Sequence, residues 1–185
     1  MKIFKFGGAS VKDAAGVKNV LHVLNTVGSE DVLIVISAMG KTTNALEVVI
    51  KNYFEKSKEL QSSLQEVRKY HNQILLDLFE EEEHQAFFDV NKHFDDLENF
   101  IRTNKSPNYS FVYDQIVSIG ELASTTIVSH YFNYKGLQNN WVDVRPLIKT
   151  DNNYRDAQVD WETTQKLISK SIKKKTLNIT QGFLG

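Results

Sequence analysis

The chain has 185 residues, with 22 Lys and Arg against 23 Asp and Glu, a formal net charge of −1, and no cysteine. This charge argues against nucleic acid or an anionic membrane as the main partner, and the lack of cysteine excludes disulfides, thiolate metal sites and a cysteine nucleophile. Neither a signal-peptide core nor an apolar run near the roughly 18 residues of a membrane span is present, so we expect a soluble, cytoplasmic protein.

The first part of the sequence predicts a strand, a helix and a second strand. Apolar residues recur at spacings of three and four from Val17 to Val27, which is one face of a helix. Residues 32–36 are apolar throughout and rich in Val and Ile, as in a strand covered on both faces. With a short strand over residues 3–6, this is a βαβ unit, and a further helix is expected from about residue 44 to Tyr53.

A polar, helical region follows, over about residues 54–106. Two apolar stripes at helical spacing predict an antiparallel pair of helices. The stripes are Leu60, Leu64, Val67, Tyr70, Ile74 and Leu78, then Phe87, Phe88, Val90, Phe94, Leu97 and Ile101. Four adjacent glutamates at 80–83 are typical of a solvated turn between the two helices. Pro107 ends this helical insertion.

The last part of the sequence predicts a long helix and two more strands. The helix runs from about Phe111 to Tyr134, and a strand (141–144), a helix (160–173, with Trp161 and Leu167 inward) and a strand (177–180) follow. A strand buried on both faces needs a covering helix, which the sequence after residue 180 does not supply. We therefore expect a longer parent protein. At the strand over residues 177–180 and the far side of the sheet we expect an exposed apolar face or an unpaired edge, which predicts a homo-oligomer.

Lys5 and the glycines after it form the first candidate site. Lys5 lies at the end of the first strand, where side chains of a doubly wound sheet enter the ligand crevice. Its ammonium suits phosphoryl oxygens, although a surface lysine at a strand end is the simpler alternative. Gly7 and Gly8 let backbone N–H groups approach an anion, and Ser10 adds a hydroxyl at a helix N-terminus. An ordinary tight turn would also explain these residues.

A second loop reaches the same edge of the sheet and carries Ser37 and Thr43. Its triplet Gly40-Lys41-Thr42 resembles the end of a P-loop. Val35, inside the strand, occupies the place of the first P-loop glycine, which argues against that motif. Thr43 either caps the following helix or contacts a ligand.

Glu121, on the long helix, is the third candidate. Its neighbours on the same helix face are Val117, Ser124, Thr125 and Val128. A carboxylate in such surroundings is costly to bury without a cationic partner. That partner is either a lysine of the protein or the amino group of a substrate. The 5 histidines are scattered without metal-ligand spacing, so we expect no zinc site.

These motifs together are similar to those of one known family. Residues 5–11, Lys-Phe-Gly-Gly-Ala-Ser-Val, resemble K-F-G-G-T-S-V, the signature of aspartate kinases in the amino acid kinase family. Further segments resemble later motifs of that family in the same order, so the resemblance covers the whole chain. They are residues 36–44, 118–121, 141–145 and 179–185.

The resemblance implies an α/β fold, a three-layer αβα sandwich of the amino acid kinase type. Residues 1–185 would be the N-terminal, aspartate-binding part of the kinase domain, with the helical insertion at about 54–106. The implied reaction transfers a phosphoryl group from ATP, with Mg²⁺ bound through the nucleotide, to the side chain of L-aspartate. In the family a nucleotide-binding half and regulatory ACT domains follow, so we expect this chain to be inactive alone.

The motifs also imply roles for single residues. Lys5 would be catalytic and balance charge on the phosphoryl group, and its path would be lined by Gly7, Gly8, Ser10 and Ser37. The aspartate pocket would be lined by Thr43, Glu121 and Phe183, with Glu121 meeting the substrate's amino group. Ala9 departs from the usual threonine or serine and removes one hydroxyl from the phosphate loop. Without ligand, Lys5 and Glu121 are expected to be each other's nearest opposite charge across an open cleft.

One alternative of a different class stays open on the sequence alone. The helices from Tyr53 to Tyr134 could form the docking surface of a non-catalytic interaction or dimerisation module, with the glycine loop as a plain turn.

Overall fold

A computed structural model describes residues 1–81, 83–182 and 184. Over these residues it contains one four-stranded sheet and six α-helices. The strands are β1 (Lys2–Phe6), β2 (Val32–Ile36), β3 (Asn139–Val142) and β4 (Leu177–Gln181). The helices are α1 (Ala14–Val27), α2 (Thr42–Phe54), α3 (Leu60–Leu78), α4 (Gln85–Thr103), α5 (Tyr109–Tyr134) and α6 (Trp161–Ser171).

The sheet is parallel throughout, in the order β1-β2-β4-β3. Parallel strands need crossover connections, and the helices supply them on both faces of the sheet. One face carries Ile179 and Trp141, and the Trp141 indole Nε1 donates to Thr125 Oγ1 of α5 at 3.0 Å. The opposite face carries Asn140, whose side chain donates to Ser171 O at the end of α6. The predicted three-layer αβα architecture is confirmed.

The edge strand β1 is less covered than the inner strand β4, which is buried along its whole length. β1 is an edge strand, and its Ile3 side chain is 66% exposed. Leu33 and Val35 of β2, on the same face as Ile3, are only half-buried. An apolar patch therefore lies at the β1 edge of the sheet. The exposure expected at the strand over residues 177–180 was wrong, because β4 lies between β2 and β3 and is buried.

The helical insertion is the predicted pair α3 and α4. They pack on each other and, through α2 and α5, on the rest of the molecule. The connection between them begins at Phe79, which is buried, and ends at His84, whose Nδ1 accepts a hydrogen bond from Ala86 N and caps α4. Glu82, within the predicted turn, lies outside the described residues.

Three details of the predicted elements were wrong. Trp161 is 76% exposed, because α6 begins at this residue and its buried contact is made one turn later by Thr164. Phe88 is 64% exposed, since consecutive helical residues point about 100° apart and Phe87 takes the inward position. Strand β3 spans 139–142 and so begins and ends two residues earlier than the predicted 141–144.

Candidate functional site

The loops after β1 and β2 touch at the carboxyl edge of the sheet. The Gly40 amide donates to Gly8 O at 3.0 Å. A Cβ on Gly8 would lie 2.5 Å from Ala38 O, so this close approach requires glycine there. A Cβ on Gly7 would meet nothing within 4 Å, and Gly7 O accepts from Ser10 N at 2.9 Å. The first loop is thus a short 3₁₀ helix, Gly8–Val11, pressed against the second loop.

The other residues predicted to contact phosphate border these loops. Lys5 and Ser10 are exposed, and Ser37 is half-buried. The Ser37 amide donates to Phe6 O at 3.1 Å, while its carbonyl accepts from Ser124 Oγ of α5 at 2.8 Å. The ends of β1 and β2 and the middle of α5 are therefore joined at Ser37.

Glu121 is buried under the second loop, with only 4% of its surface exposed. Its Oε1 accepts a hydrogen bond from the Ala38 amide at 3.3 Å. Within the described part of the chain, its Oε2 is buried and has no hydrogen-bond partner. Burial raises the pKa of Glu121 from 4.5 to about 7, and the Ala38 hydrogen bond offsets part of that rise. The site therefore holds a carboxyl group with one unsatisfied oxygen.

Gly120 allows α5 to come this close to the loop. A Cβ on Gly120 would lie 3.0 Å from Ala38 Cβ and 3.1 Å from Thr42 Cγ2. Those distances are tighter than ordinary van der Waals contact, so a larger residue would push α5 away. Gly120 thus sets the distance between α5 and the second loop, and this distance places the Glu121 carboxyl group beside the Ala38 amide.

The expected compensation between Lys5 and Glu121 was wrong. Between these two described residues there is no ion pair, and Glu121 is bonded to Ala38 instead. Lys5 is in register with Val35 and shares its face of the sheet, opposite the face that α5 covers. Lys5 therefore points to the face of the sheet opposite the one on which α5 and Glu121 lie, and Glu121 is buried where an open cleft was expected.

The other two residues predicted to line the aspartate pocket are Thr43 and Phe183. Thr43 is half-buried in the first turn of α2. Its neighbour Thr42 is the buried one, and the Thr42 hydroxyl donates to Met39 O at 2.6 Å. Phe183 lies outside the described residues. The adjoining Gly182 is described, and its amide donates to Ile36 O at 3.1 Å, which brings the end of β4 beside the end of β2.

A buried polar network was missed by sequence reasoning. Gln181 Nε2 donates to Thr125 Oγ1 at 2.9 Å, and Gln181 Oε1 accepts from the Val144 amide at 3.0 Å. Thr125 in turn donates to Glu121 O at 2.9 Å. The network joins the ends of β3 and β4 to the turn of α5 that carries Glu121. The signal that could have revealed it is the run of polar residues in a strand predicted to be buried: Asn178, Thr180 and Gln181.

A cleft of about 450 Å³ lies at the N-terminal half of α5. Ser118, one helical turn before Glu121, lines it together with Arg145, Arg155 and Leu184. The Arg145 guanidinium is paired with Asp143 at 2.6 Å, and Arg155 lies over the Tyr113 ring at 4.3 Å from its centroid. Two guanidinium groups, those of Arg145 and Arg155, therefore line this cleft.

Among the described residues, no group of three or more His, Asp or Glu side chains is placed to hold a metal ion. None of the described helices is both long enough and apolar enough to cross a membrane.

Comparisons with known proteins agree on a single family. The chain is 26% identical to the Chlamydia trachomatis serovar D aspartokinase, over 99% of this chain and 40% of that protein. It is also 26% identical to the chloroplastic bifunctional aspartokinase/homoserine dehydrogenase 2 of Arabidopsis thaliana, over 98% of this chain and 20% of that protein. The chain thus spans two fifths or less of the length of these relatives.

The fold has a close counterpart among solved structures. E. coli aspartokinase III, in complex with aspartate and ADP, superposes with a TM-score of 0.85 at 23% sequence identity, over 99% of this chain and 40% of that one. A family model described as the amino acid kinase family matches residues 1–185. Since that match extends over the full sequence, the chain belongs to the amino acid kinase family.

Proposed function

We propose that this chain is the aspartate-binding part of an aspartate kinase. The reaction transfers the γ-phosphoryl group of ATP to the side-chain carboxylate of L-aspartate, giving 4-phospho-L-aspartate and ADP. The observation that carries the proposal is Glu121 at the carboxyl edge of the sheet, a carboxyl group that is 4% exposed and whose Oε2 has no partner among the described residues. Its support is the match to the family over residues 1–185 and the likeness to aspartokinases.

Glu121 has the properties of a receptor for an ammonium group. Oε1 is held by the Ala38 amide, so the carboxyl group has a fixed orientation and Oε2 is the atom left for a ligand. An ammonium placed at Oε2 would satisfy the buried oxygen and favour the ionised carboxylate. Thr43 and Phe183 are proposed to line the same pocket on the grounds of their family motifs.

Lys5 and the glycine loops are assigned to the phosphoryl group. Phosphoryl transfer depends mainly on positioning and on stabilisation of the charge on the transferring group. The exposed Lys5 ammonium supplies positive charge at the strand end, and the backbone at Gly7 and Gly8 lets an anion approach. Ser10 and Ser37 add hydroxyl groups. Mg²⁺ belongs to the nucleotide in this proposal and supplies further charge neutralisation to its phosphates.

The chain by itself is proposed to have little or no turnover. It spans 40% of the length of an aspartokinase relative, and the family's nucleotide-binding half is proposed to lie in the part it does not match. L-Aspartate binding, by contrast, is expected of the chain alone.

The test is coupled ADP release with L-aspartate and Mg-ATP, made on the longest reading frame that contains this chain and on the chain alone. The proposal expects aspartate-dependent ADP release from the longer protein and a strongly raised KM for aspartate in its Glu121→Gln variant. An unchanged KM in that variant would refute the role of Glu121. Near-normal turnover by the 185-residue chain would refute its assignment as the aspartate-binding part alone.

A second role, self-association, is favoured by one observation. Ile3 is 66% exposed on the edge strand β1, beside the half-buried Leu33 and Val35. Pairing with a second copy would cover this apolar edge. Light scattering should show a species larger than a monomer, and Ile3→Lys should shift it towards the monomer. A monomer at every concentration would exclude this role.

A further inference from the structure

Tyr70 extends from the helical insertion to both glycine loops. Its hydroxyl donates a hydrogen bond to the carbonyl of Lys12, the residue directly after the first loop (Gly8–Val11). A Cβ on Gly40, in the second loop, would lie 2.6 Å from Tyr70 Oη. The phenol thus occupies the space beside Gly40 and is bonded to the backbone after the first loop at the same time.

The conformation of Gly40 makes this contact specific. Gly40 has φ +56, in the left-handed region that favours glycine, and its amide donates to Gly8 O at 3.0 Å. Tyr70 lies on one side of this turn, and Gly120 of α5 packs against Ala38 of the same loop and Thr42 at the start of α2. The second loop is therefore contacted by Gly8, Tyr70 and Gly120, which belong to three different parts of the chain, while Gly40 itself stays exposed.

We propose that Tyr70 is a positioning residue that holds the Gly40 turn against the Gly7–Ser10 loop, so that both loops are ordered before a phosphoryl group arrives. This inference rests on the proposed function, which places the phosphoryl group at those loops. It gives the helical insertion a part in the site. Preorganised donors cost less free energy to order when the ligand binds, which raises affinity.

The Tyr70 hydroxyl, and not only its ring, is needed to join α3 to the backbone after the first loop. A ring packed on Gly40 would only fill space, whereas a donor to Lys12 O joins the two segments. Burial raises the pKa of the Tyr70 hydroxyl above its usual 10, and the nearby Asp13 raises it further. The group therefore remains a protonated donor across the neutral range.

The test compares two tyrosines that make the same kind of bond. Tyr70→Phe keeps the ring and removes the donor. Tyr53→Phe is the control, because Tyr53 Oη on α2 also donates to a backbone carbonyl, Asn104 O at 3.2 Å; it accepts from Asn104 Nδ2 as well, at 2.9 Å. Both variants are made in the 185-residue chain and followed by amide hydrogen exchange, with inorganic phosphate as the ligand probe.

In Tyr70→Phe, exchange of the Gly40 amide should rise roughly threefold to tenfold, the scale of one net hydrogen bond, and phosphate affinity should fall by a similar factor. Tyr53→Phe should change neither. Unchanged exchange at Gly40 overturns the proposal, and so does faster exchange with unchanged phosphate affinity, which would leave Tyr70 a purely structural role. If the unsubstituted chain binds no phosphate, the proposed phosphate path fails, while the exchange comparison still decides whether Tyr70 holds the turn.

Discussion

Two buried titratable side chains, Glu121 at the edge of the sheet and His71 inside the helical insertion, share an unusual feature. Within the described residues, each has one buried polar atom without a partner, Glu121 Oε2 and His71 Nε2. Burial is the main cause of the pKa shift of both, and it favours the neutral form in both cases. It raises the pKa of Glu121 to about 7 and lowers that of His71 to about 4.

Their surroundings differ in what they offer a ligand. His71 Nδ1 donates to Val67 O at 2.8 Å, since a carbonyl can only accept, and the ring lies between Tyr70 and Phe94. Its unpartnered Nε2 is within a packed aromatic core. Glu121 lies where the loops after β1, β2 and β4 converge. Burial alone therefore does not identify a functional group, and convergence of strand ends distinguishes Glu121 from His71.

The largest expected effect concerns Glu121 and pH. The folded-state pKa of about 7 lies above 4.5, so the stabilising protonated form is fully present below about pH 4.5 and is lost as the pH rises through 7. This loss amounts to about 3 kcal/mol. Glu121→Gln, which stays neutral, should therefore be more stable than the unsubstituted chain at about pH 8 and similar to it at about pH 4. Urea unfolding of both proteins across this range measures the difference, and identical pH profiles would contradict it.

His71 should show the opposite dependence. Its folded-state pKa of about 4 lies below 6.5, so stability is present above about pH 6.5 and falls as the pH drops through 4. The loss is again about 3 kcal/mol. His71→Leu should lose this dependence, and urea unfolding between about pH 4 and 7 tests it. Because the two groups act in opposite directions, their contributions partly cancel in the unsubstituted chain and separate only in the single variants.

A pair of glycine substitutions tests the contact between the loops. Gly8→Ala should destabilise the chain by about 1 to 3 kcal/mol, because its Cβ would lie 2.5 Å from Ala38 O. Gly7→Ala is the matched control, since a Cβ there meets nothing within 4 Å and its φ is −74. Thermal unfolding of the two variants gives the comparison. Equal losses would show that the close approach at Gly8 is not what limits the loop.

The smallest effect is expected at Trp161. Its side chain is 76% exposed, so Trp161→Ala should change the free energy of unfolding by less than about 0.5 kcal/mol. A larger loss in urea unfolding would mean that the aromatic ring packs inward, as its apolar character first indicated.

Local periodicity explains why most elements could be predicted from the sequence. β2 has the predicted bounds 32–36, and α3 and α4 follow their apolar stripes, because spacing within one element decides which residues are buried. The meeting of the two glycine loops was likewise predictable, since parallel strands bring their carboxyl ends to one edge.

The orientation of the helices and strands relative to one another could not be predicted from the sequence. Lys5 and Glu121 were paired on the basis of their shared edge, yet register places Lys5 on the face opposite α5. Tyr70 belongs to a predicted apolar stripe, because helical spacing predicts that its ring is buried but does not predict a partner for its hydroxyl. Gln181 and Thr125 were missed for the same reason, since their bonds link residues far apart in the chain. Phe183 lies outside the described residues, so its role in the aspartate pocket stays a prediction.

The most direct test of the account is the ionisation of Glu121 with and without ligand, followed by NMR of its side-chain carboxyl carbon. Saturating L-aspartate should lower the pKa of Glu121 by more than about one unit, because an ammonium near Oε2 favours the charged form. Succinate, which has both carboxylates and no ammonium, should not lower it, and the pKa of His71 should stay unchanged with either ligand. A Glu121 titration unaffected by L-aspartate, or shifted equally by succinate, would contradict the proposed aspartate site.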